Sequence, residues 1–576
     1  PHTATTNTSA YALYGNLSVS FNASSNHTVQ FGNGSSTEAG GGNYGFFYNL
    51  FTGSGRLNLG NLVVNNPGAI ATRRITQAGA AADANVINGN LTVTAGVYHQ
   101  SASTTNIGGN LTVENDGTFI ANGTTVFTAT TGTTASAQTS AQAVTVNGAG
   151  AIINAASSPT TNFANVTFRN TSANGVTINP LNQVVVNTSV AASVSGIIVF
   201  DGKASTTAGK ALLWGTLTAP GTTLTVTSGG MAPGSAFARG WNNTQTGSSL
   251  AGNAVPTTTT SQFPLVDAAG NARHAWIERV TPTDPGILAV TYTAGTGTSP
   301  IAITDDTYTM DTRSNGKWSV SVLGTDMAAS TYKLALSATG VFGSAPSTAA
   351  ARIITLTGVA GNHQAGTTLP HAQRTGLTYA QITTNDFYMG INSADIPYLS
   401  VQTGNWNDAA TWNKNAVPGA TDVVSIQPGH TVTVNGSYTA AASAVGITNT
   451  GVLALSANTL TVTNAVTTVT GGTINVTGGT LASATLTNAG AVNANSGTVN
   501  ATTVTNTGTI TVAGGTINAA GASTTGISNN SGGTFALNSG TVNVGPAGGG
   551  DRRFTNGGTL TVAGGTLNIN GNLFVG

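Results

Sequence analysis

The chain has 576 residues, with 17 Lys+Arg balanced by 17 Asp+Glu, only 6% charged residues and no cysteine. This excludes a basic face for nucleic acid, and it excludes disulfides and thiolate metal sites. Sparse charge of zero net sign fits a protein whose normal state is assembled, and no apolar run reaches the 18 residues a membrane-spanning helix needs.

Glycine, at 76 residues, is about twice as common as usual. Gly and Asn mark turns, Val and Thr favour strands, and the helix formers Glu, Lys, Gln and Arg are scarce. The expected fold class is all-β, with parallel β-solenoid (β-helix) segments flanking a β-sandwich domain. Helix is expected below about 10%.

Residues 1–54 read as an N-terminal β segment, either a cap or a subunit contact. Aromatic residues cluster there: Tyr11, Tyr14, Phe21, Phe31, Tyr44, Phe46, Phe47, Tyr48 and Phe51. Leu17, Val19 and Phe21 alternate, followed by Val29 and Phe31. These five read as two strands able to add to an open sheet edge, and they are the expected subunit contact. The chain opens at Pro1 rather than Met, as a processed product or a fragment would.

Residues 55–262 carry a repeat. Gly60-Asn61-Leu62-Val63-Val64 recurs as Gly89-Asn90-Leu91-Thr92-Val93 and as Gly109-Asn110-Leu111-Thr112-Val113, and returns at Gly571-Asn572-Leu573. A period near 20 with alternating apolar residues predicts a solenoid, in which stacking buries what one coil cannot bury alone. Gly and Asn are expected to supply positive φ at the corners.

Over 263–395 the repeat disappears, charged and aromatic residues become commoner, and several short strands predict a β-sandwich. Asp305, Asp306 and Asp311 form the densest acidic group. They are weak Ca²⁺ candidates, against the plainer reading of a charged surface loop. His363 and His371 share one loop-like stretch and form a weaker metal pair.

Residues 396–576 predict a second solenoid. Asn506 to Asn518 is nearly repeated by Asn556 to Asn568, and related Asn-x-Gly units start at Asn449, Asn488 and Asn530, with steps of 39, 18, 24 and 26. The first step is long enough for two coils. Val452, Leu453, Leu455, Ile510 and Val512 are the expected core. Thr461-Val462-Thr463, Thr505-Asn506-Thr507 and Thr509-Ile510-Thr511 fit, locally, the rows that order water or bind ice, but the spacing is too irregular for a continuous array.

No catalytic constellation emerges. Phe51-Thr52-Gly53-Ser54-Gly55 and Gly32-Asn33-Gly34-Ser35 read as turns rather than a nucleophile elbow. No phosphate-binding loop occurs, and none of the seven histidines pairs at helical metal spacing. After Asp422 the second solenoid has a single acid, Asp551. An enzyme is not expected, and no cofactor beyond the weak Ca²⁺ candidate.

Two stretches carry a resemblance. The first is Thr403-Gly404-Asn405-Trp406-Asn407-Asp408-Ala409-Ala410-Thr411-Trp412, with Val417-Pro418, Asp422-Val423-Val424 and Pro428-Gly429-His430-Thr431-Val432. It resembles the opening of β-helical repeat regions in large secreted surface proteins of Bacteroidota, where paired tryptophans and a Pro-x-x-x-Asp turn lead into the first coil. The second is looser: Gly316-Lys317-Trp318-Ser319-Val320, Thr331-Tyr332-Lys333-Leu334-Ala335-Leu336 and Arg374-Thr375-Gly376-Leu377-Thr378 resemble the sandwich between repeat regions in those proteins. The resemblance implies export by the type IX route and an extracellular or cell-surface location. It also implies a separate C-terminal export sandwich, which this sequence does not show.

The functional expectation is a structural surface protein that polymerises head to tail into a filament. In it, the N-terminal segment of one copy completes the C-terminal coils of the next. A carbohydrate-binding adhesin, holding surface glycans on the N-terminal aromatics or the sandwich, is the alternative. A polysaccharide-degrading β-helix enzyme is the third reading.

Overall fold

In a computed structural model, the structure describes residues 28–31, 46–49, 58–65, 74–78, 84–100, 104–131, 134–136, 139–153, 162–180, 190–207, 210–215, 223–241, 261–324, 329–342, 349–366, 371–420, 422–440, 447–520, 525–545 and 552–575. Of these described residues, 65% are in strands and 3% in helix. The fold is all-β with parallel β-solenoid segments. Two compact units divide at Ser393/Ala394.

The first unit opens as a parallel solenoid. Asn61–Asn65 pairs in parallel with Leu91–Gln100, and that strand with Leu111–Ala121. Registered pairing stacks Leu62 on Leu91 on Leu111, and Val64 on Val93 on Val113, all buried. Alternation along each strand puts every second residue into the core, and burying each such side chain contributes about 1.5–3 kcal/mol. On another wall the stack is aromatic. Phe127, Phe168 and Phe200 are fully buried, with ring centroids 6.1 and 5.4 Å apart.

The Gly-Asn-Leu repeat has a mechanical reason. Asn61 Oδ1 accepts the backbone N–H of Asn90, Asn90 Oδ1 that of Asn110, and Asn110 Oδ1 that of Ala143, each at 2.8 Å. Each Asn thus fastens the coil stacked on it. The preceding glycine makes room: a Cβ on Gly89 would collide with Asn61 Oδ1, and one on Gly109 with Asn90 Oδ1. Glycine supplies the expected positive φ at other corners, such as Gly96, Gly148 and Gly532, but not at these. Among described residues only Asp306 and Asn415 are non-glycine residues with positive φ, and neither Gly89 nor Gly109 has it. Close approach selects glycine here.

This solenoid runs without a break into the sandwich. Ala211–Trp214 pairs in parallel with Ala236–Trp241, which then pairs antiparallel with Gly286–Thr293, and that strand with Lys317–Val322. The facing sheet joins Gln262–Phe263, Ala275–Pro282, Ala329–Leu336, Ala372–Leu377 and Asn362–Ala365, all antiparallel. The aromatic stack continues across the junction, from Phe200 to Phe237 at 6.0 Å and to Phe263 at 6.2 Å. Trp318 is fully buried and its indole N–H donates to the Arg273 carbonyl at 2.7 Å. The one α-helix among described residues, Tyr379–Thr384, is held by a Thr378/Gln381 capping box.

The second unit is one 19-stranded parallel sheet wound from Tyr398–Leu399 to Gly571–Val575. Trp406 and Trp412 lie buried in its first coil, edge to face at 5.2 Å, with the Trp412 indole N–H on the Trp406 carbonyl at 2.8 Å. Asp422 Oδ2 closes its turn on the Gly419 N–H at 2.7 Å. Beyond it three walls repeat coil after coil. Leu453, Ile474, Val492, Ile510, Phe535 and Leu560 share one core rank. Leu460, Leu481, Val499, Ile517, Val542 and Leu567 share a second. Val466, Leu486, Val504, Ile527, Phe554 and Leu573 share the third. Val452, expected in the core, is only half-buried, because alternation turns Leu453 and Leu455 inward instead.

The Asn-x-Gly repeat is a buried ladder. Asn488, Asn506, Asn529 and Asn556 stand in register. Asn488 Nδ2 donates to Asn506 Oδ1 at 2.7 Å, Asn506 to Asn529 at 2.7 Å, and Asn529 to Asn556 at 2.6 Å. Each of these three amides also donates to a backbone carbonyl: Thr509, Thr534 and Thr559, each at 3.0 Å. The rung is therefore Asn529, one residue before the Asn530 chosen from sequence. Thr468 supplies the rung between Asn449 and Asn488, so that long step does hold two coils.

Candidate functional site

The three acids named as Ca²⁺ ligands have separate tasks. Arg374 grips Asp305 with both guanidinium nitrogens, at 3.2 and 2.6 Å, and Arg352 Nε lies 3.5 Å away. Asp305 and Arg374 are 5% and 1% exposed, so this is a buried ion pair whose carboxylate lone pairs are already engaged. Asp306 is exposed in the turn with φ +54. Asp311 accepts from the Ser393 N–H and hydroxyl, both at 2.6 Å, and from the Thr312 hydroxyl at 2.9 Å. Partial burial pushes its carboxyl up, but those bonds outweigh it and hold it below the ordinary range. Among the described residues, no three His, Asp or Glu side chains converge as a metal site.

The histidines of the sandwich serve as fixed acceptors. His274 Nδ1 takes the Leu265 N–H at 3.2 Å, and His371 Nδ1 takes the Ala338 N–H at 3.0 Å. Burial pushes both down to about 4. His363 is also pushed down to about 4, by desolvation first and then by Arg352 and Arg374. In the second unit His430 lies against the Ser400 hydroxyl and carbonyl, both at 3.0 Å, which is a structural role in the first coil.

Of the expected subunit contact, Leu17, Val19 and Phe21 lie outside the described residues. Val29 and Phe31 belong to Thr28–Phe31, which pairs in parallel with Asn61–Asn65 of the same chain. That strand is already a rung of the first solenoid and, among the described residues, stands at the end of its sheet. From the N-terminal aromatics, Phe46–Asn49 is likewise a rung, paired with Arg74–Ala78.

Two features of the second unit bear on function. The first is its last coil, the end that the sequence reading expected another copy to cover. Val562 and Leu573 occupy core ranks, yet they are 50% and 47% exposed, and Phe574 beside them is 44% exposed. Among the described residues no strand covers this edge.

The second is an ordered outer wall. Thr459, Thr480, Thr498, Thr516, Thr541 and Thr566 stand in unbroken register over six coils, whereas the Thr-x-Thr rows named from the sequence form no array: Thr461 stacks on Ala482, and Thr511 lies between Asn493 and Ala536. Two residues further along each strand runs an outer amide ladder. Asn518 Nδ2 donates to Asn500 Oδ1 at 2.7 Å, Asn543 to Asn518 at 2.8 Å, and Asn568 to Asn543 at 2.8 Å. Beside it a groove of about 450 Å³ is lined by Ala482, Asn500, Asn518 and Asn543, which share one rank along the solenoid, and by small residues such as Ala501, Ala520 and Gly545. Ser483 stands where the preceding coil has Val462, and its buried Oγ has no hydrogen-bond partner. Unequal coil lengths hid both ranks: the extra residues fall between strands, as between Ala519 and Thr525, and leave the register intact.

No protein-family model, no curated protein and no solved structure matches the chain. Among the described residues, no helix is long and apolar enough to cross a membrane.

Proposed function

We propose that the chain is a structural surface protein that joins head to tail through the end rungs of its solenoids. The observation that supports this most is the register of the second unit, whose core ranks stack coil on coil through Leu560, Leu567 and Leu573 on one parallel sheet, a stacking that can continue from copy to copy. An uncovered row of backbone groups with apolar side chains is the surface a further strand adds to. Thr28–Phe31, at the end of the first solenoid's sheet, is a parallel strand of the right kind in a second copy. A joint between two different surfaces does not close on itself unless its rotation permits, and so builds a filament. The last rung also repeats the Gly-Asn-Leu motif that seats coil on coil in the first solenoid. The bacterial cell-surface location and type IX export rest on the family resemblance alone, and catalysis has no part in this reading.

The test is light scattering and electron microscopy over a concentration series, with a Val562→Lys/Leu573→Lys variant beside the wild type. Linear assemblies that the variant abolishes are expected. A wild-type chain that stays monomeric at every concentration overturns the reading.

A further inference from the structure

We infer that the outer groove of the second solenoid binds an extended chain of neutral sugars lying along the solenoid axis. The site is distinct from the end rungs, and the inference does not depend on head-to-tail joining.

The first argument is the hydrogen-bonding capacity of the wall. Each carboxamide has two donor hydrogens and two acceptor lone pairs. In Asn518 and Asn543 the ladder uses one of each, since Nδ2 donates to the previous coil and Oδ1 accepts from the next. One further N–H and one further lone pair remain per coil. A neutral donor beside a neutral acceptor is complementary to a pair of neighbouring hydroxyls, each of which both donates and accepts.

The second argument is charge. Residues 431–550 contain no Asp, Glu, Lys, Arg or His. Nothing there matches a phosphate, a sulfate, a uronic acid or an amine, and an anionic or cationic ligand would lose its hydration without a counter-charge. The matching ligand is uncharged.

The third argument is repetition. Coils stack about 4.8 Å apart, the spacing of hydrogen-bonded strands. The groove therefore offers this pair at Asn518 and again one coil on at Asn543, with Asn500 beside them, which suits a run of linked sugars better than a single small molecule. A peptide is the poorer fit, because extended peptides bind by backbone pairing to a sheet edge. The strands at Asn500 and Asn518 already have a neighbour on each side. The floor is methyl groups and glycine, without an aromatic platform, so each coil contributes little and affinity grows with ligand length.

The experiment screens the full chain against neutral glucans, mannan and xylan, with polygalacturonate and alginate as anionic comparators. Titration with oligosaccharides of increasing length follows. Retention of a neutral glycan is expected, with affinity rising about tenfold from the disaccharide to the hexasaccharide and unchanged by salt. Ala482→Phe fills the groove without touching a ladder hydrogen bond, and Asn518→Ala removes the central amide. Each is expected to weaken binding about tenfold or more. If Asn518→Ala does not fold, Ala482→Phe alone decides. Assembly measured on Ala482→Phe is expected to match the wild type, so a failure of glycan binding and a failure of head-to-tail joining are read separately. The inference is overturned if no neutral glycan is retained. Undiminished binding by a folded Ala482→Phe, or salt-sensitive preference for the anionic chains, overturns it equally.

Discussion

The two solenoids solve the same stacking problem with different fasteners. In the first, an exposed Asn side chain accepts a backbone N–H from the next coil, and an aromatic stack fills one wall. In the second, the amides bond to each other inside the core, and the apolar ranks are chiefly aliphatic. The two ladders of the second solenoid also run in opposite senses: the buried one donates toward the following coil, the outer one toward the preceding coil. The difference lies in what each fastener risks. An exposed joint that is lost can be replaced by water, whereas a buried amide that loses its neighbour has no replacement.

That contrast can be broken most severely at Phe168 and Asn506. Phe168→Ala removes the middle ring of the aromatic stack and should cost about 3–5 kcal/mol. Asn506→Ala removes the acceptor of one Asn488 N–H and the donor to Asn529 Oδ1 in the core and should cost about 2–4 kcal/mol. Both are read from denaturant melts. In a solenoid the damage should stay in neighbouring coils, so amide exchange is expected to quicken near the mutation first.

Acid sharpens the comparison between the sandwich and the second solenoid. His274 and His371 titrate near 4 when folded, below their ordinary 6.5. Their contribution is complete above about pH 6.5 and is lost as pH falls toward 4, where the unfolded chain takes up protons that the folded one refuses. The expected loss by pH 4 is about 2–3 kcal/mol for each of these two buried histidines. Partly exposed His363 shifts the same way and adds less. Residues 431–550 have no group that titrates in this window. Melting followed by fluorescence of the sandwich tryptophans should therefore drop on acidification, while amide exchange within 447–520 should keep its protection. Equal acid sensitivity of both regions contradicts the assignment.

Much of this was legible in the sequence. Strict alternation identified the inward residues Leu453, Leu455, Ile510 and Val512 in advance, and the repeated Gly-Asn-Leu marked coil boundaries. What was missed depends on register between coils of unequal length. Asn529 rather than Asn530 joins the ladder because facing, not spacing, decides which amide enters the core. The six-coil threonine rank and the amide-walled groove appear only when strands are laid side by side. Asp305 drew notice for its acidic neighbours, but its partners, Arg352 and Arg374, lie far along the chain, and sequence proximity carries no trace of them.

Smaller effects separate the fasteners more finely. Asn90→Ala, at an exposed corner, should cost about 1 kcal/mol, well below Asn506→Ala. Thr468→Asn works in the other direction. Thr468 Oγ1 is buried without a hydrogen-bond partner where a threonine interrupts the ladder. An asparagine there can accept from Asn449 Nδ2 and donate to Asn488 Oδ1, and should stabilise the second solenoid by about 1 kcal/mol. A destabilised Thr468→Asn would show that the site has no room for the larger amide.

The central claim, joining through the end rungs, is tested most directly by hydrogen exchange at the backbone amides of Gly571–Val575 as protein concentration rises. The account predicts protection that grows with concentration at these amides and is unchanged in interior strands such as Thr498–Asn506. Rapid exchange at 571–575 at every concentration, in the presence of assemblies, would contradict it.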